Sequence, residues 1–322
     1  MQNSSDSKAT KLYQALSQEI AKVIIGQEEV IEKIAIALLC RGHVLLIGPP
    51  GMAKTTLVQS FAQAVDLPFG RIQFTPDLMP SDILGTEILQ EDKSTGHREL
   101  TFVRGPIFTQ MLLADEINRT PPKTQAALLQ AMQERLVTVY GRTEKLNEPF
   151  MVLATQNPIE QEGTYPLPEA QLDRFLFSIN LPYPTLDQEM AIARKHTQAL
   201  TSTIQPVISA SEILQLQKQV LDMPVSDHIF ELAVKWVRAT RPDADNKHPE
   251  IREYVKWGAG PRAVQFLILA AKSRALLHGR PTPIEDDLRA LWLSAIGHRV
   301  HLNFQAEAER INPNELLLKV TR

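Results

Sequence analysis

The sequence has few features of secreted, disulfide-bonded or membrane proteins. It contains one cysteine, Cys40, among 322 residues, which excludes an internal disulfide and fits a reducing compartment. Its longest apolar stretches, such as residues 34–40, are too short to span a bilayer. The first ten residues are polar and lack the basic and apolar regions of a secretory signal. We therefore expect a cytoplasmic protein without a membrane segment.

An excess of charge of one sign is also absent. The chain has 34 Lys and Arg against 37 Asp and Glu, for a formal net charge of -3. This balance gives no electrostatic reason to expect a nucleic-acid partner. With 43% hydrophobic and 22% charged residues, the composition is that of an average globular protein. The length allows one large domain or two ordinary ones.

The most informative run is HVLLIGPPGMAKT, residues 43–55. Its last eight residues match the pattern G-x-x-x-x-G-K-[ST] at every required place except Ala53, where a second glycine is expected. The first five residues, HVLLI, predict an apolar strand, and a helix is predicted over residues 56–65. The backbone N–H groups of such a loop converge on one point at the positive end of that helix. The candidate phosphate-binding residues are Gly48, Pro49, Pro50, Gly51, Met52, Ala53, Lys54, Thr55 and Thr56.

An acidic pair follows a second apolar run, MLLADE at residues 111–116. Lys54 would reach the β- and γ-phosphates of the nucleotide, and Thr55 would ligate Mg²⁺. Asp115 can hold the hydration shell of Mg²⁺ opposite Thr55. Glu116 can polarise a water for attack on the γ-phosphate. Alone, an acidic pair after a strand is usually a solvated turn, but with a phosphate loop upstream it completes one metal and nucleotide site.

Three further side chains are candidates for the same chemistry. Asn157, in ATQNP, could orient a water beside Glu116, or be an ordinary turn asparagine before proline. Arg174, in PEAQLDRF, could neutralise transition-state charge or make an ordinary ion pair. Arg262, in GAGPRA, falls in the first turn of a predicted helix, where the helix dipole disfavours cations. An anionic ligand from the other domain would resolve that misfit.

The order of elements predicts an α/β domain followed by a helical one. Short apolar runs at residues 43–47, 111–114, 150–154 and 175–179 are typical of parallel strands covered on both faces. Residues 136–146 predict a hairpin with a glycine turn. After residue 184 the pattern is helical only. We predict a disordered tail over residues 1–10, an α/β domain over 11–184 and a helical domain over 185–322.

These motifs, in this order, resemble the AAA+ ATPases, a class of P-loop NTPases with a parallel sheet between helices and a helical lid. GPPGMAKT, LLADEINR, ATQNP and LPEAQLDRF are similar to the MoxR family in particular, as are IIGQEEV and RIQFTPDLMPSDILG. Alanine at position 53 is a usual variant in that family. The resemblance covers nearly the whole chain after the tail.

The resemblance implies a role for each matched position. Gly48, Gly51, Lys54 and Thr55 would be Walker A, and Asp115 and Glu116 Walker B. Asn157 would be sensor 1, and Arg262 would be sensor 2, touching the γ-phosphate from the lid. Arg174 would be the finger that reaches a neighbouring subunit's nucleotide. Ile25, Gly26 and Gln27 lie where the family contacts adenine. An insertion near residues 85–105 and the hairpin at 136–146 would face a central channel in ring-shaped relatives.

The family implies a ring-forming ATP hydrolase, a hexamer, that uses ATP and Mg²⁺ to remodel or mature partner proteins. A von Willebrand factor A domain protein is the partner that the resemblance suggests. Two alternatives stay open at this point. One is a nucleic-acid or chelatase-type motor, for which the mixed charges of the hairpin are weak support. The other is a scaffold that binds ATP and scarcely hydrolyses it, against which Glu116, Asn157 and Arg174 argue.

Overall fold

The fold was analysed in a computed structural model, which describes residues 7–91, 98–159, 163–197 and 203–321. The strands are β1 Val44–Ile47, β2 Phe69–Gln73, β3 Gly85–Glu91, β4 Arg98–Arg104, β5 Met111–Asp115, β6 Leu136–Val139, β7 Arg142–Lys145, β8 Met151–Gln156, β9 Phe177–Asn180, β10 Val255–Trp257 and β11 His301–Leu302. The helices are α1 Lys8–Ala21, α2 Glu28–Leu39, α3 Lys54–Ala64, α4 Pro80–Leu84, α5 Pro122–Glu134, α6 Glu169–Leu172, α7 Leu186–Thr197, α8 Ala210–Asp222, α9 Asp227–Arg238, α10 Pro249–Tyr254, α11 Pro261–Leu277, α12 Glu285–Ile296, α13 Phe304–Ala308 and α14 Pro313–Val320.

A five-stranded parallel sheet forms the first part of the chain, in the order β2-β5-β8-β1-β9. All five residues of β5 are buried, as expected for a strand covered on both faces. The four apolar runs correspond to β1, β5, β8 and β9. Strand β2 was not predicted, because this edge strand contains exposed polar residues and few apolar ones.

Helices cover both faces of the sheet and form two apolar cores. One core, on the side of α5, contains Leu112, Leu128 and Phe175. The other contains α1, α2 and α3 together with the helices after residue 184, so that Phe61 of α3 and Trp292 of α12 belong to one cluster. The helical part therefore packs directly on the α/β part, and the predicted α/β fold with a helical second part is confirmed. The expectation of helices alone after residue 184 was wrong in one detail, because β10 and β11 form a short antiparallel pair there.

Two antiparallel hairpins project from the sheet domain. β3 and β4 pair over residues 85–104, which places the predicted insertion in a hairpin whose residues 92–97 lie outside the described ranges. β6 and β7 form the second hairpin, with Gly141 at a positive φ of 74° in its turn. Ion pairs from Arg104 to Glu144 (2.6 Å) and from Arg142 to Glu87 (4.0 Å) join the two hairpins.

The predicted N-terminal tail is too long. Residues 1–6 lie outside the described ranges, but α1 begins at Lys8, and the Ser7 hydroxyl accepts a hydrogen bond from the Thr10 N–H at 3.2 Å. Serine is a favoured N-cap, and Ala9 and Thr10 are buried, so residues 8–10 are helical. Within the described ranges, no helix is both long and apolar enough to cross a membrane.

His43, immediately before β1, is a fully buried imidazole. Its Nδ1 accepts a hydrogen bond from the Val152 N–H (3.0 Å), and its Nε2 lies 3.1 Å from the Met132 carbonyl, which it contacts as a donor. The ring is therefore neutral in the folded protein. Burial, opposed in part by the hydrogen bond to Met132 and assisted by the nearby Arg135 charge, lowers the pKa of His43 to about 4.

We expect this histidine to make the protein sensitive to acid. Because the pKa of His43 is lower in the folded than in the unfolded state, its contribution to stability is complete above pH 6.5 and falls as the pH drops toward 4. At pH 5 the loss should be about 2 kcal/mol relative to pH 7. Urea unfolding of wild type and His43→Asn at both pH values measures it. The variant should lose about 2 kcal/mol less over this range, and parallel curves would contradict the assignment.

Candidate nucleotide site

The phosphate loop connects β1 to α3 at the carboxyl end of the sheet. Gly51 has a φ of 81° and no atom within 4 Å of the position a Cβ would take, so the loop is open on that side. Ala53, the residue that departs from the sequence pattern, has a φ of 54°. This left-handed conformation is the one that glycine adopts without strain and that costs alanine about 1 kcal/mol. The alanine therefore keeps the backbone shape that the missing glycine would give.

Lys54 and Thr55 point toward the neighbouring strand ends. The Lys54 ammonium donates to the carbonyls of Gly48 (2.6 Å) and Gln156 (3.4 Å), between the ends of β1 and β8. The Thr55 hydroxyl lies 3.5 Å from Asp115 Oδ2 at the end of β5. Parallel register thus brings three predicted site residues to one edge of the sheet.

Asp115 and Glu116 share a buried hydroxyl, that of Thr155. Thr155 Oγ1 donates to Asp115 Oδ1 at 2.6 Å and accepts from the Glu116 N–H at 2.8 Å. Glu116 has a φ of 57°, a strained conformation for a residue with a side chain. Sequence reasoning missed the role of Thr155, although it lies inside the ATQNP motif.

The Glu116 carboxylate is held from the side. Its Oε2 accepts from Gln73 Nε2 (2.8 Å), at the end of β2, and from Arg119 Nη1 (2.9 Å). Asp115 Oδ2 accepts from Arg71 Nη2, also on β2, at 2.7 Å. Neither Arg71 nor Gln73 was among the candidates, and the only signal was their place in the family-like run RIQFTPDLMP.

The remaining candidates at this edge lie beside the loop. Asn157 follows β8, is 4% exposed, and accepts a hydrogen bond from the Ile159 N–H at 3.1 Å. The segment Ile25, Gly26 and Gln27 lies between α1 and α2. Gln27 Nε2 is 3.5 Å from the Met52 carbonyl, which places this segment against the phosphate loop. The structure therefore brings the predicted adenine and phosphate positions together, and the roles of these residues stay predictions.

Arg174 and Arg262 lie at the opposite edge. Arg174 precedes β9, and Phe177 of β9 pairs with Val44 at the start of β1. The Nη1 of Arg174 donates to the Leu129 carbonyl at 2.5 Å. Arg262 lies 3.3 Å from Asp173, and both arginines line a cavity of about 180 Å³ beside His43. Five residue steps separate His43 from Gly48, or roughly 16 Å along a strand.

The contact of Arg262 with a γ-phosphate stays a prediction. In this structure the start of α11 places the Arg262 guanidinium against Asp173. The acidic partner that the helix-dipole argument asked for is Asp173.

The oxygen ligands of the site fit Mg²⁺. Among the described residues, no group of three or more His, Cys, Asp or Glu could hold a metal ion. Mg²⁺ needs no such group, since it commonly takes one or two protein oxygens and completes its shell with water and substrate phosphates. Thr55 Oγ1 and Asp115 Oδ2, 3.5 Å apart and beside the phosphate loop, are oxygens of this kind.

Comparisons with known proteins agree with this geometry. Residues 43–177 match the model of the ATPase family associated with various cellular activities (AAA), and residues 249–320 match that of the AAA lid domain. A crystal structure from Cytophaga hutchinsonii, of a protein provisionally assigned as an ATPase, superposes with a TM-score of 0.89 at 38% identity. The superposition covers 97% of this chain and 94% of the Cytophaga chain. Fold and site thus define an AAA ATPase module with its lid.

Two curated relatives narrow the assignment. Chaperone MoxR1 of Mycobacterium tuberculosis is 42% identical over 302 residues, which cover 94% of this chain and 79% of that protein. Protein MoxR of Methylorubrum extorquens is 32% identical, over 91% of this chain and 88% of that protein. The chain belongs to the MoxR family of AAA+ ATPases, as the sequence motifs predicted.

The hydroxyl of Thr155 should be essential to the geometry of the acidic pair. We expect Thr155→Val to lower the free energy of unfolding by about 2 kcal/mol, because a buried carboxylate oxygen and a buried N–H both lose their partner. Thr155→Ser keeps the hydroxyl and should retain most of the stability. Urea unfolding measures both variants, and equal stability of the valine and serine variants would contradict the role.

Proposed function

We propose that this chain hydrolyses ATP in the presence of Mg²⁺. The observation that carries the proposal is the meeting of Lys54, Thr55, Asp115, Glu116 and Asn157 at one edge of the sheet. In this arrangement the loop N–H groups and Lys54 bind the phosphates, and Glu116 accepts a proton from the attacking water. Bound Mg²⁺ would neutralise the phosphate charge that develops in the transition state.

We propose further that the active form is a homo-oligomeric ring, a hexamer. Arg174 and Arg262 lie about a strand length away from the phosphate loop of their own chain. Both could serve a nucleotide only if it belonged to a neighbouring subunit that docks at this edge. A head-to-tail interface of this kind repeats from subunit to subunit, and it forms a ring when the rotation between subunits closes.

The work done by such a ring is proposed to be chaperone-like remodelling of partner proteins in the cytoplasm. The printed name of the Mycobacterium relative supports this function. The two hairpins would transmit movement to the partner proteins, and a von Willebrand factor A domain protein would be one of these partners. A nucleic-acid motor has less support, since Arg104 and Arg142 of the hairpins are already paired with carboxylates. The α/β domain at 11–184 and the helical domain at 185–322 would be the two moving units.

Two variants should separate ATP binding from hydrolysis. Lys54→Ala removes the charge that faces the phosphates and should abolish measurable ATP binding. Glu116→Gln keeps the cradle and should bind ATP as wild type does, while its hydrolysis rate falls at least a hundredfold. Calorimetry gives the affinity, and phosphate release gives the rate. Wild-type affinity in Lys54→Ala would contradict the site, and absent turnover in wild type would favour the scaffold.

The same Glu116→Gln ring identifies the partner. Loaded with ATP, it should retain specific proteins from a nuclease-treated lysate, whereas the ADP-loaded ring releases them. DNA-stimulated hydrolysis that weakens steeply with salt would instead support the motor.

Mixing variant subunits should show whether the two arginines act across an interface. Arg174→Ala subunits keep their own phosphate loop, and Glu116→Gln subunits keep their own arginines. When equal amounts are mixed at random, about one interface in four joins an intact phosphate loop with Glu116 to an intact Arg174. If the arginine raises the hydrolysis rate about a thousandfold or more, the recovered rate is easy to measure. Arg262→Ala should behave in the same way.

A control mixture of Lys54→Ala with Glu116→Gln should stay inactive, because neither subunit can hydrolyse ATP. If the Arg174→Ala or Arg262→Ala mixture also stays inactive, that arginine acts within its own chain or has a structural role.

A further inference from the structure

Strand β2 holds both carboxylates of the acidic pair. Arg71 and Gln73 are two residues apart, so their side chains emerge on the same face of the strand. Gln73 lies opposite Asp115 in the parallel register with β5. Arg71 Nη2 is 2.7 Å from Asp115 Oδ2, and Gln73 Nε2 is 2.8 Å from Glu116 Oε2. The hydrolysis proposed above uses neither β2 side chain.

The Asp115 oxygen that Arg71 contacts is the one that faces the metal position. Oδ1 is already engaged by the buried Thr155 hydroxyl at 2.6 Å. Oδ2 faces Thr55 Oγ1, 3.5 Å away. A guanidinium cation therefore sits on the oxygen that a cation beside Thr55 would need.

Arg71 is placed so that it can leave. Its side chain is 48% exposed, whereas that of Asp115 is 11% exposed. Moving the guanidinium into water costs little, because half of it is hydrated already. Moving the Asp115 carboxylate would break its contact with Thr155.

Gln73 connects Arg71 to the second carboxylate. The same Arg71 nitrogen donates to Gln73 Oε1 at 2.7 Å, and the amide nitrogen of Gln73 donates to Glu116. A continuous hydrogen-bonded chain thus runs from Asp115 through Arg71 and Gln73 to Glu116. Each member orients the next. Because the oxygen of the Gln73 amide only accepts and its nitrogen only donates, the contact with Arg71 fixes which side of the amide faces Glu116.

We propose that Arg71 occupies the metal-facing oxygen of Asp115 while nucleotide is absent, steadied there by Gln73, and that it leaves when Mg²⁺–nucleotide binds. Two cations on one carboxylate oxygen repel each other, so the arginine competes with the metal. By linkage, occupation of the metal position weakens the hold of Gln73 on Glu116. Arg71 and Gln73 are positioning residues, and their assignment rests on the proposed ATP site.

The experiment compares ADP binding in Mg²⁺ with ADP binding in EDTA, by calorimetry on the full chain. Without Arg71, Asp115 is available to the metal at no cost, so Arg71→Ala should bind Mg²⁺–ADP about tenfold more tightly than wild type. Its affinity for ADP in EDTA should stay within about twofold, because no contact to the nucleotide is lost. Gln73→Ala should show a smaller gain in the same direction. The double variant should match Arg71→Ala alone, since the two side chains act as one unit.

A kinetic measurement separates competition from a structural role. The Mg²⁺ concentration for half-maximal ATP hydrolysis should fall about tenfold in Arg71→Ala, with kcat at saturating Mg²⁺ unchanged. Arg252→Ala, which removes an exposed arginine of α10, controls for the loss of one positive charge. Arg71→Lys keeps the charge without the planar fork and should lie between wild type and Arg71→Ala.

Three results would overturn the proposal. Equal Mg²⁺–ADP affinity in Arg71→Ala and wild type would make the contact an ordinary surface ion pair. Weaker ADP binding in EDTA would make Arg71 a phosphate ligand. Additive effects of the two β2 variants would remove the connection between Arg71 and Gln73. If wild type binds no ADP under either condition, the proposed ATP site itself fails.

Discussion

The parallel direction of the five central strands is the constraint on which the rest of this structure depends. Because β1, β5 and β8 all end at one edge, the phosphate loop, the acidic pair and Asn157 meet there. Because β1 and β9 start together at the other edge, Arg174 lies there, a strand length from the phosphates. One chain thus carries the phosphate loop and the acidic pair at one edge and both arginines at the other, and for this reason the proposed activity includes assembly of several subunits.

The helical lid contacts the arginine edge through the buried side chain of Arg299, among others. Only 5% of this residue is exposed, and burial lowers the pKa of its guanidinium to about 10. It donates to the Asp173 carboxylate (2.8 Å) and to the Phe175 carbonyl (2.6 Å), on either side of Arg174. Arg262 binds the same aspartate from α11. A shift of the lid would therefore move Arg174 with it, so that the position of the lid and the position of Arg174 are coupled.

Sequence reasoning succeeded where the signal is local. The phosphate loop, the strand-end carboxylates and the hairpin at residues 136–146 are each encoded in a short run of residues, and the structure places them at the expected strand ends and turn. It failed for β2, because the polar residues of this edge strand do not give the apolar pattern of a buried strand. It therefore also missed Arg71 and Gln73, which lie beside the acidic pair only because β2 pairs with β5. It also could not place Arg262, because the direction of α11 is decided by packing among residues far apart in the chain.

The charged groups that would meet a nucleotide already have partners within the chain. Lys54 lies on the carbonyls of Gly48 and Gln156, Asp115 on Arg71 and Thr155, and Glu116 on Gln73 and Arg119. A half-buried charge without a partner is costly, so these contacts stabilise the site before ligand arrives. ATP binding is then an exchange of internal contacts for contacts with phosphate and metal. The net affinity for nucleotide then depends on the difference in free energy between the internal contacts and the contacts with phosphate and metal. A residue that does not touch the nucleotide, such as Arg71, can therefore still change this affinity.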